Sequence, residues 1–346
     1  MRTPFVPMLL LSFALTVTLA QSGALTLEQV VTTSLSANAE VQNAQSAFSQ
    51  AKVTQTARDA DPTALITDQL QARQSAELLG VQASSVRLLV MSDAVGEFLN
   101  LSENSDALEY LSNQAKLSEQ SLAIAKARLV SRTATPVDVQ RSETELSAAR
   151  QQLSDAKVQR PIIAARLGRI LGLEKGVEVK IANPPAFKPR KLELNVLEEG
   201  LDERVAVVVQ AAQAAEFAAL IVTTTDNDYT PGQTKREART NLENAKRALF
   251  TERRKAATQL REAFRAVQDA LEGAGVAQKN AVTAVQTLKN DNVRFKNELI
   301  SKVQLSASEL STQKAQFDAV RAANGYLRAL AGLSLAAGVD ATGLMK

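Results

Sequence analysis

The chain contains no cysteine, no histidine and no tryptophan among its 346 residues. The absence of cysteine excludes disulfides, thiol nucleophiles and thiolate metal sites. Without histidine, the usual general base at neutral pH and the commonest metal ligand are both missing. The sequence also has no glycine-rich phosphate-binding loop. These absences argue against an enzyme, and the sequence indicates no cofactor and no metal.

Aromatic residues are also scarce, at 4% of the chain. A wide globular core normally uses more large side chains, so a chain rich in Ala, Leu, Gln and Ser favours thin helix-on-helix packing. The 40 basic and 37 acidic residues are interleaved, which gives no support for nucleic-acid binding. Basic runs such as Lys235-Arg236 and Arg253-Arg254-Lys255 are typical of solvated helix faces, with a weak contact to anionic lipid as the alternative.

The N-terminus has the features of an export signal. Arg2 precedes an apolar run over residues 6–19, and small residues follow it. A bilayer span needs about 20 apolar residues, so this shorter run predicts a signal peptide over residues 1–20. Cleavage is expected near Ala20, with Ala24 as the second choice. No later stretch is continuously apolar for about 18 residues, so we expect no transmembrane helix and, without cysteine, no lipid anchor.

Proline and glycine signals divide the rest of the chain into six helical stretches. The predicted helices span Leu27–Arg58, Ala64–Val130, Pro136–Leu171, Leu192–Leu220, Lys235–Asn297 and Lys302–Leu335. The second would be about 100 Å long, and such a length with heptad-like apolar spacing is typical of a coiled coil. A proline-rich linker over residues 174–191 could hold a short strand at Val177–Ile181.

The two halves of the chain align with each other. Five pairs match at one constant offset: Arg128 with Arg294, Thr135 with Ser301, Val137 with Val303, Val139 with Leu305 and Glu143 with Glu309. Pro62 and Pro231 match at nearly that offset, and Gly172-Leu173 is paired with Gly332-Leu333. Such spacing indicates a duplicated unit, although helical low-complexity sequence can also align with itself by chance.

The predicted fold is all-α, with two repeats of a long helical hairpin and little or no β structure. The expected domains are repeat 1 over residues 21–173, the linker over 174–191 and repeat 2 over 192–346. In each repeat the shorter helices could lie end to end along the long one and form a rod of about 100 Å. Exposed apolar seams on such rods favour a closed homo-oligomer.

The segment from Leu129 to Ala149 resembles the first periplasmic tip turn of the TolC-like outer-membrane factors, the exit ducts of bacterial efflux and type I secretion systems. It carries Ser131-Arg132-Thr133-Ala134-Thr135-Pro136-Val137-Asp138-Val139 and then Leu146-Ser147-Ala148-Ala149. The opening Leu25-Thr26-Leu27-Glu28-Gln29-Val30 and the closing Leu330-Ala331-Gly332-Leu333 are similar to the family's first and last helices. The resemblance covers most of the chain after residue 20.

The resemblance implies a protomer of a periplasmic α-barrel, trimeric and passive, with an adaptor and an inner-membrane pump as partners. It also implies that residues 128–138 and 294–304 lie at the periplasmic mouth. The candidate docking residues there are Arg128, Arg132, Thr135, Pro136, Asp138, Arg294, Glu298, Ser301 and Gln304. Helix capping is the simpler interpretation of Thr135 and Asp138, because a hydroxyl and an acid at this spacing form a capping box.

Three departures from the family pattern stand out. The tip glycine is replaced by Arg132 and Glu298, and the acidic constriction maps to uncharged Gln304 and Ala307. Neither the break at residues 59–62 nor that at 221–230 is long enough for a membrane β-hairpin, which takes roughly 20 residues. We therefore expect an exported protein of the periplasm, associated only indirectly with the outer membrane.

The sequence leaves two functions to compare. The first is a duct subunit for efflux or type I secretion, which conducts passively through an oligomeric helical channel. The alternative is a periplasmic coiled-coil scaffold or spacer that has lost conduction.

Overall fold

The structure, a computed structural model, describes residues 24–174 and 179–345. The described residues form nine helices: α1 Leu27–Ala37, α2 Ala39–Asp59, α3 Ile66–Val130, α4 Pro136–Ile170, α5 Leu194–Glu198, α6 Leu201–Arg204, α7 Ala206–Thr225, α8 Gly232–Lys296 and α9 Lys302–Ala337. The predicted all-α fold with two very long helices is confirmed. The signal peptide predicted over residues 1–20 lies outside the described residues.

Two of the predicted helices are divided. Asn38 ends α1 and caps α2, because its side chain accepts a hydrogen bond from the Glu40 N–H at 2.8 Å. The stretch predicted as one helix from Leu192 to Leu220 forms α5, α6 and α7 instead. Gly200 adopts a left-handed conformation with φ 69° between α5 and α6, which only glycine adopts without strain.

The linker crosses back to the start of α1. Leu25 and Ile181 form an isolated parallel bridge, in which the Leu25 N–H donates to the Lys180 carbonyl at 2.9 Å. Of the predicted strand over Val177–Ile181, the first two residues lie outside the described chain, and the bridge is the β structure of the remainder. The connections between α2 and α3 and between α7 and α8 contain no strand within the described residues, as predicted.

The two shorter helices of the first half lie along different parts of α3. On α2, the Phe48 ring lies 3.0 Å from the position that a Cβ on Gly80 would occupy. On α4, Glu143 pairs with Lys126 at 3.0 Å, and the Ala156 carbonyl accepts from the Asn104 amide at 3.0 Å. The first half is thus a shaft two helices thick.

The helices of the second half repeat those of the first at a constant shift. Helices α3 and α8 begin at Ile66 and Gly232 and end at Val130 and Lys296, a shift of 166 residues at both ends. Helices α4 and α9 begin at 136 and 302, which is the same shift. The predicted pairing of Gly172 with Gly332 is wrong: Gly332 lies inside α9, and the helix-ending equivalent of Gly172 (φ 69°) is Gly338 (φ 67°).

By length and composition alone, two described helices could cross a membrane. Windows in α3 and α7 reach mean hydropathies of 1.3 and 1.6. Scattered Gln and Thr interrupt an apolar run without lowering its mean hydropathy much. A core helix outside a membrane passes the same test, so the expectation of no transmembrane helix stays a prediction. The α3 window is one-third buried and the α7 window less so. Polar side chains of α7 form hydrogen bonds and an ion pair with α3, as described below.

Candidate functional site

Tip 1 is defined as residues 126–141, which join α3 to α4. The Arg132 N–H donates to the Leu129 carbonyl at 3.0 Å, and the Thr133 N–H donates to the Arg128 carbonyl at 2.8 Å. These two bonds form a Schellman motif, in which the residue after the helix cap takes a left-handed conformation. Arg132 occupies that position with φ 57°, where the family pattern has glycine.

Tip 2 is defined as residues 292–307, which join α8 to α9, and it repeats this geometry. The Glu298 N–H donates to the Phe295 carbonyl at 2.9 Å, and the Leu299 N–H donates to the Arg294 carbonyl at 2.8 Å. Glu298 has φ 58°. The two halves of the chain therefore place a charged residue, of opposite sign, in the same left-handed position.

Each tip ends in a capping box that starts the next helix. In tip 1 the Thr135 N–H donates to Asp138 Oδ2 at 2.8 Å, and the Asp138 N–H donates to Thr135 Oγ1 at 3.3 Å. Pro136 occupies the first turn of the helix. The backbone hydrogen bond from Thr135, followed by the bond from its hydroxyl, lowers the pKa of the Asp138 carboxyl, because both favour the charged form.

Tip 2 forms the same box without a charge. The Ser301 N–H donates to Gln304 Oε1 at 2.8 Å, and the Gln304 N–H donates to Ser301 Oγ at 3.3 Å. The nine candidate residues thus lie on two equivalent turns: Arg128, Arg132, Thr135, Pro136 and Asp138 on tip 1, and Arg294, Glu298, Ser301 and Gln304 on tip 2. Their capping role is visible in these bonds, and their docking role stays a prediction.

A polar network joins α3 to α9. The Arg328 guanidinium pairs with the Glu103 carboxylate at 2.8 Å and donates to Asn100 at 3.0 Å. Asn324 donates to the same carboxylate at 3.0 Å. The Glu103 side chain is 15% exposed, so water screens this pair less than a surface pair. This network could not be predicted from the sequence, because its residues resemble those of any solvated helix face.

A second polar contact joins α3 to α7. The Gln74 amide donates to the Gln213 carbonyl at 3.1 Å, and the Gln213 amide donates to the Gln74 carbonyl at 2.9 Å. Glu216, one turn along α7 from Gln213, forms an ion pair with Arg73 and accepts a hydrogen bond from the Gln74 amide at 2.8 Å. Because Gln74 is buried, its paired amide favours one register of the two helices over others.

Similar folds occur among bacterial outer membrane channels. The outer membrane channel CmeC of Campylobacter jejuni matches with a TM-score of 0.67 and 12% identity, over 90% of this chain and 85% of that one. The outer membrane protein VceC of Vibrio cholerae matches with a TM-score of 0.61 and 13% identity, over 90% and 96%. A membrane protein from Pseudomonas aeruginosa gives 0.64 and 13%, over 92% of both chains.

No protein-family model and no curated protein matches the sequence. The structural likeness nevertheless extends over most of the chain, so the class of fold is settled. The chain has the helical fold of the TolC-like outer membrane channels, and its described residues form it without strands at the two upper connections.

Proposed function

We propose that this protein is the subunit of a passive export duct in the bacterial envelope, closed as a ring of copies and most simply a trimer. The observation that carries the proposal is an unpaired face of α8. Helix α3 packs against α1, α2, α4, α7 and α9, whereas α8 packs against α5, α6, α7 and α9, all from its own half. The shift of 166 residues predicts which partners α8 lacks.

The packing of α3 against α9 shows which equivalent contact α8 lacks. Under the shift, its equivalent joins α8 to α4, two helices without extensive packing against each other in the described chain. On α3, Tyr110 and Lys116 lie on the side that faces α9. Their equivalents on α8 are Val276 and Val282, which are 58% and 61% exposed.

The corresponding face of α4 is also apolar and bare. Asn324 and Arg328 of α9 contact α3, and their equivalents on α4 are Val158 and Ile162. These two side chains are 61% and 43% exposed. These two exposed apolar faces would both be buried if α8 of one copy packed against α4 of the next copy. Repetition of that contact from copy to copy closes a ring.

The same proposal assigns location and partners. The fold shared with outer membrane channels supports a place in the periplasm next to the outer membrane, and the tips would face an adaptor and an inner-membrane pump. The conduit would need no cofactor and no catalytic step. Attachment to the outer membrane would be indirect, through another component at the end formed by the α2–α3 and α7–α8 connections.

Engineered cysteines test the ring cleanly, because the chain has none of its own. Asn113 of α3 bonds to Gln313 of α9 at 3.0 Å, and the equivalent pair is Lys279 on α8 and Ser147 on α4. We expect an equimolar mixture of Lys279→Cys and Ser147→Cys chains to give interchain disulfides on mild oxidation, seen on non-reducing gels. Light scattering would give the number of copies.

Two controls accompany this experiment. The double variant Asn113→Cys/Gln313→Cys should form a disulfide within one chain and stay at monomer mass after denaturation. Lys246→Cys, which is exposed but lies far along α8 from Lys279, should not cross-link to Ser147→Cys. A protein that remains monomeric at high concentration, with no disulfide between Lys279→Cys and Ser147→Cys chains, would exclude the duct.

A non-conducting scaffold is the second candidate, favoured by the charged residues at the tip positions and by the short upper connections. It predicts the same ring. A strain without the gene would then keep its sensitivity to drugs and dyes but show a disordered envelope, whereas loss of the duct raises drug sensitivity.

A further inference from the structure

The two ends of the shaft carry opposite charge. Tip 1 has four basic residues and one acidic residue, and tip 2 has three basic residues and one acidic residue. Segments of the same length at the opposite end, residues 54–69 and 220–235, have one basic residue each and three and two acidic residues. The tip end is therefore net positive and the opposite end net negative, although the chain as a whole is nearly balanced.

Much of the positive charge at the tips is unpaired within the described chain. Lys126, Arg294 and Lys302 pair with neighbouring acids. The exposed side chains of Arg128 and Lys296 form no ion pair there, and neither does that of Arg132. Clustered charges without partners raise the local potential and attract a surface of opposite sign.

Exposed apolar side chains accompany these charges. Val130 on tip 1 is 87% exposed and Leu299 on tip 2 is 69% exposed, which places them among the most exposed large apolar residues of the described chain. Scattered exposed apolar residues need no explanation by themselves. Here they lie beside unpaired cations on hydrogen-bonded turns, and exposed apolar residues next to cations are a combination found at protein interfaces.

Both tips also retain a strained residue. A left-handed conformation costs a residue with a Cβ roughly 1–2 kcal/mol, and both Arg132 and Glu298 adopt it. Glycine would remove this cost but would also remove the charged group from the turn. Strain of this kind in a structured turn is typical of functional positions. It therefore indicates a functional role for the charged side chains of these two residues.

We propose that the two tips dock an acidic protein surface, whose carboxylates pair with Arg128, Arg132 and Lys296 and whose apolar residues cover Val130 and Leu299. This inference rests on the proposed function only in that the tips meet a partner. A protein is favoured over an anionic membrane because neither tip contains Trp or Tyr, which are the usual residues of a membrane interface.

A labelled poly-L-glutamate peptide tests the charge requirement on the full chain. Fluorescence anisotropy should show binding that weakens as salt rises. Arg128→Glu/Arg132→Glu should weaken it roughly ten-fold, since two exposed attractions become repulsions. Glu298→Lys should strengthen it by about two- to three-fold, a gain that a misfolded variant would not produce. Circular dichroism would establish that each variant retains its helices.

The matched control reverses two exposed arginines on the shaft. Arg247→Glu/Arg265→Glu makes the same change in net charge away from both tips and should leave affinity within about two-fold. Equal losses in the tip and shaft variants would overturn the proposal, as would tip-dependent binding to phosphatidylglycerol vesicles without binding to the peptide. The disulfide between Lys279→Cys and Ser147→Cys chains reports the ring separately, so either idea can fail without the other.

Discussion

The two longest helices, α3 and α8, have the same length and equivalent positions in the duplicated fold but very different surroundings. Twelve residues of α3 are buried, against six of α8. Phe98 of α3 is fully buried, whereas its equivalent on α8, Phe264, is partly exposed. The difference arises because α3 lies between the helices of its own half and those of the second half, while α8 lies at an edge of the chain.

Equivalent helices of this duplicated fold therefore differ in burial within one chain. A duplicated hairpin has two equivalent edges, and one chain can cover only one of them. The covered edge uses polar pairs such as Glu103–Arg328, whereas the bare edge presents Val158, Ile162, Val276 and Val282. We infer that the edge left for a second copy is the more apolar one because association is driven mainly by apolar burial.

The largest expected effect breaks the core of α3. Phe98→Ala should lower the free energy of unfolding by about 3–5 kcal/mol, because a fully buried ring leaves a cavity. The equivalent change on α8, Phe264→Ala, should cost roughly half as much, since that ring is partly solvated already. Urea denaturation followed by circular dichroism would measure both.

The protein concentration determines whether the losses of stability in the two variants can be compared. The denaturation should be followed at protein concentrations at which the chain is monomeric, because association would bury α8 and raise the cost of Phe264→Ala. Equal losses for the two variants in the monomer would contradict the assignment of α8 to the edge of the chain.

A smaller effect concerns the tips. Arg132→Gly and Glu298→Gly should each raise the free energy of unfolding by about 0.5–1 kcal/mol, because relief of the left-handed strain exceeds the chain entropy that glycine loses on folding. Arg132→Ala keeps the Cβ and is the matched control, with no expected gain. If the glycine variants are no more stable than Arg132→Ala, the tips are not strained.

The converse change completes the comparison of helix ends. At the far end of α4, Gly172 already occupies the equivalent left-handed position (φ 69°), and a Cβ there would lie 3.4 Å from that of Ala37. Gly172→Ala should therefore destabilise the protein by about 1 kcal/mol. Thermal unfolding measures all of these variants on one scale.

Much of the fold was predictable because its signals are local. The capping boxes at Thr135 and Ser301, the proline at 136 and the uninterrupted length of α3 are each properties of a few neighbouring residues, and the structure contains them as expected. The breaks at Asn38 and Gly200 were missed. Asn38 is an ordinary polar residue in a helical pattern, and Gly200 is a glycine that accepts either sign of φ, so neither residue alone identifies a break.

The position of the candidate site could be predicted from the sequence, but only some of its contacts could. Both tips could be located from the sequence. The replacement of glycine by Arg132 and Glu298 could also be predicted, because it requires only an alignment of each tip with the family pattern. It did not locate the Gln74–Gln213 contact or the Glu103–Arg328 pair, which depend on how two distant helices lie against each other. The division into repeats at residues 173 and 192 stays a prediction, supported by the shift of 166 residues between equivalent helices.

The smallest expected effect on stability concerns two acidic residues at equivalent positions, Asp106 on α3 and Glu272 on α8. Burial raises the pKa of the Asp106 carboxyl, and the neighbouring Glu109 and Glu103 add to this. Because the folded state disfavours this carboxylate, Asp106→Asn should raise the free energy of unfolding at neutral pH, by about 0.3–0.5 kcal/mol from the like-charge contacts.

The sign of the pH dependence separates this cause from a packing effect. Protonation of Asp106 stabilises the folded state as pH falls through the raised pKa, so the advantage of Asp106→Asn should shrink over that range and be lost below the ordinary value of 3.8. Glu272 is exposed, and Glu272→Gln should give no comparable gain. An advantage of Asp106→Asn that is constant with pH would show that charge is not its origin, since an uncharged difference in packing does not titrate.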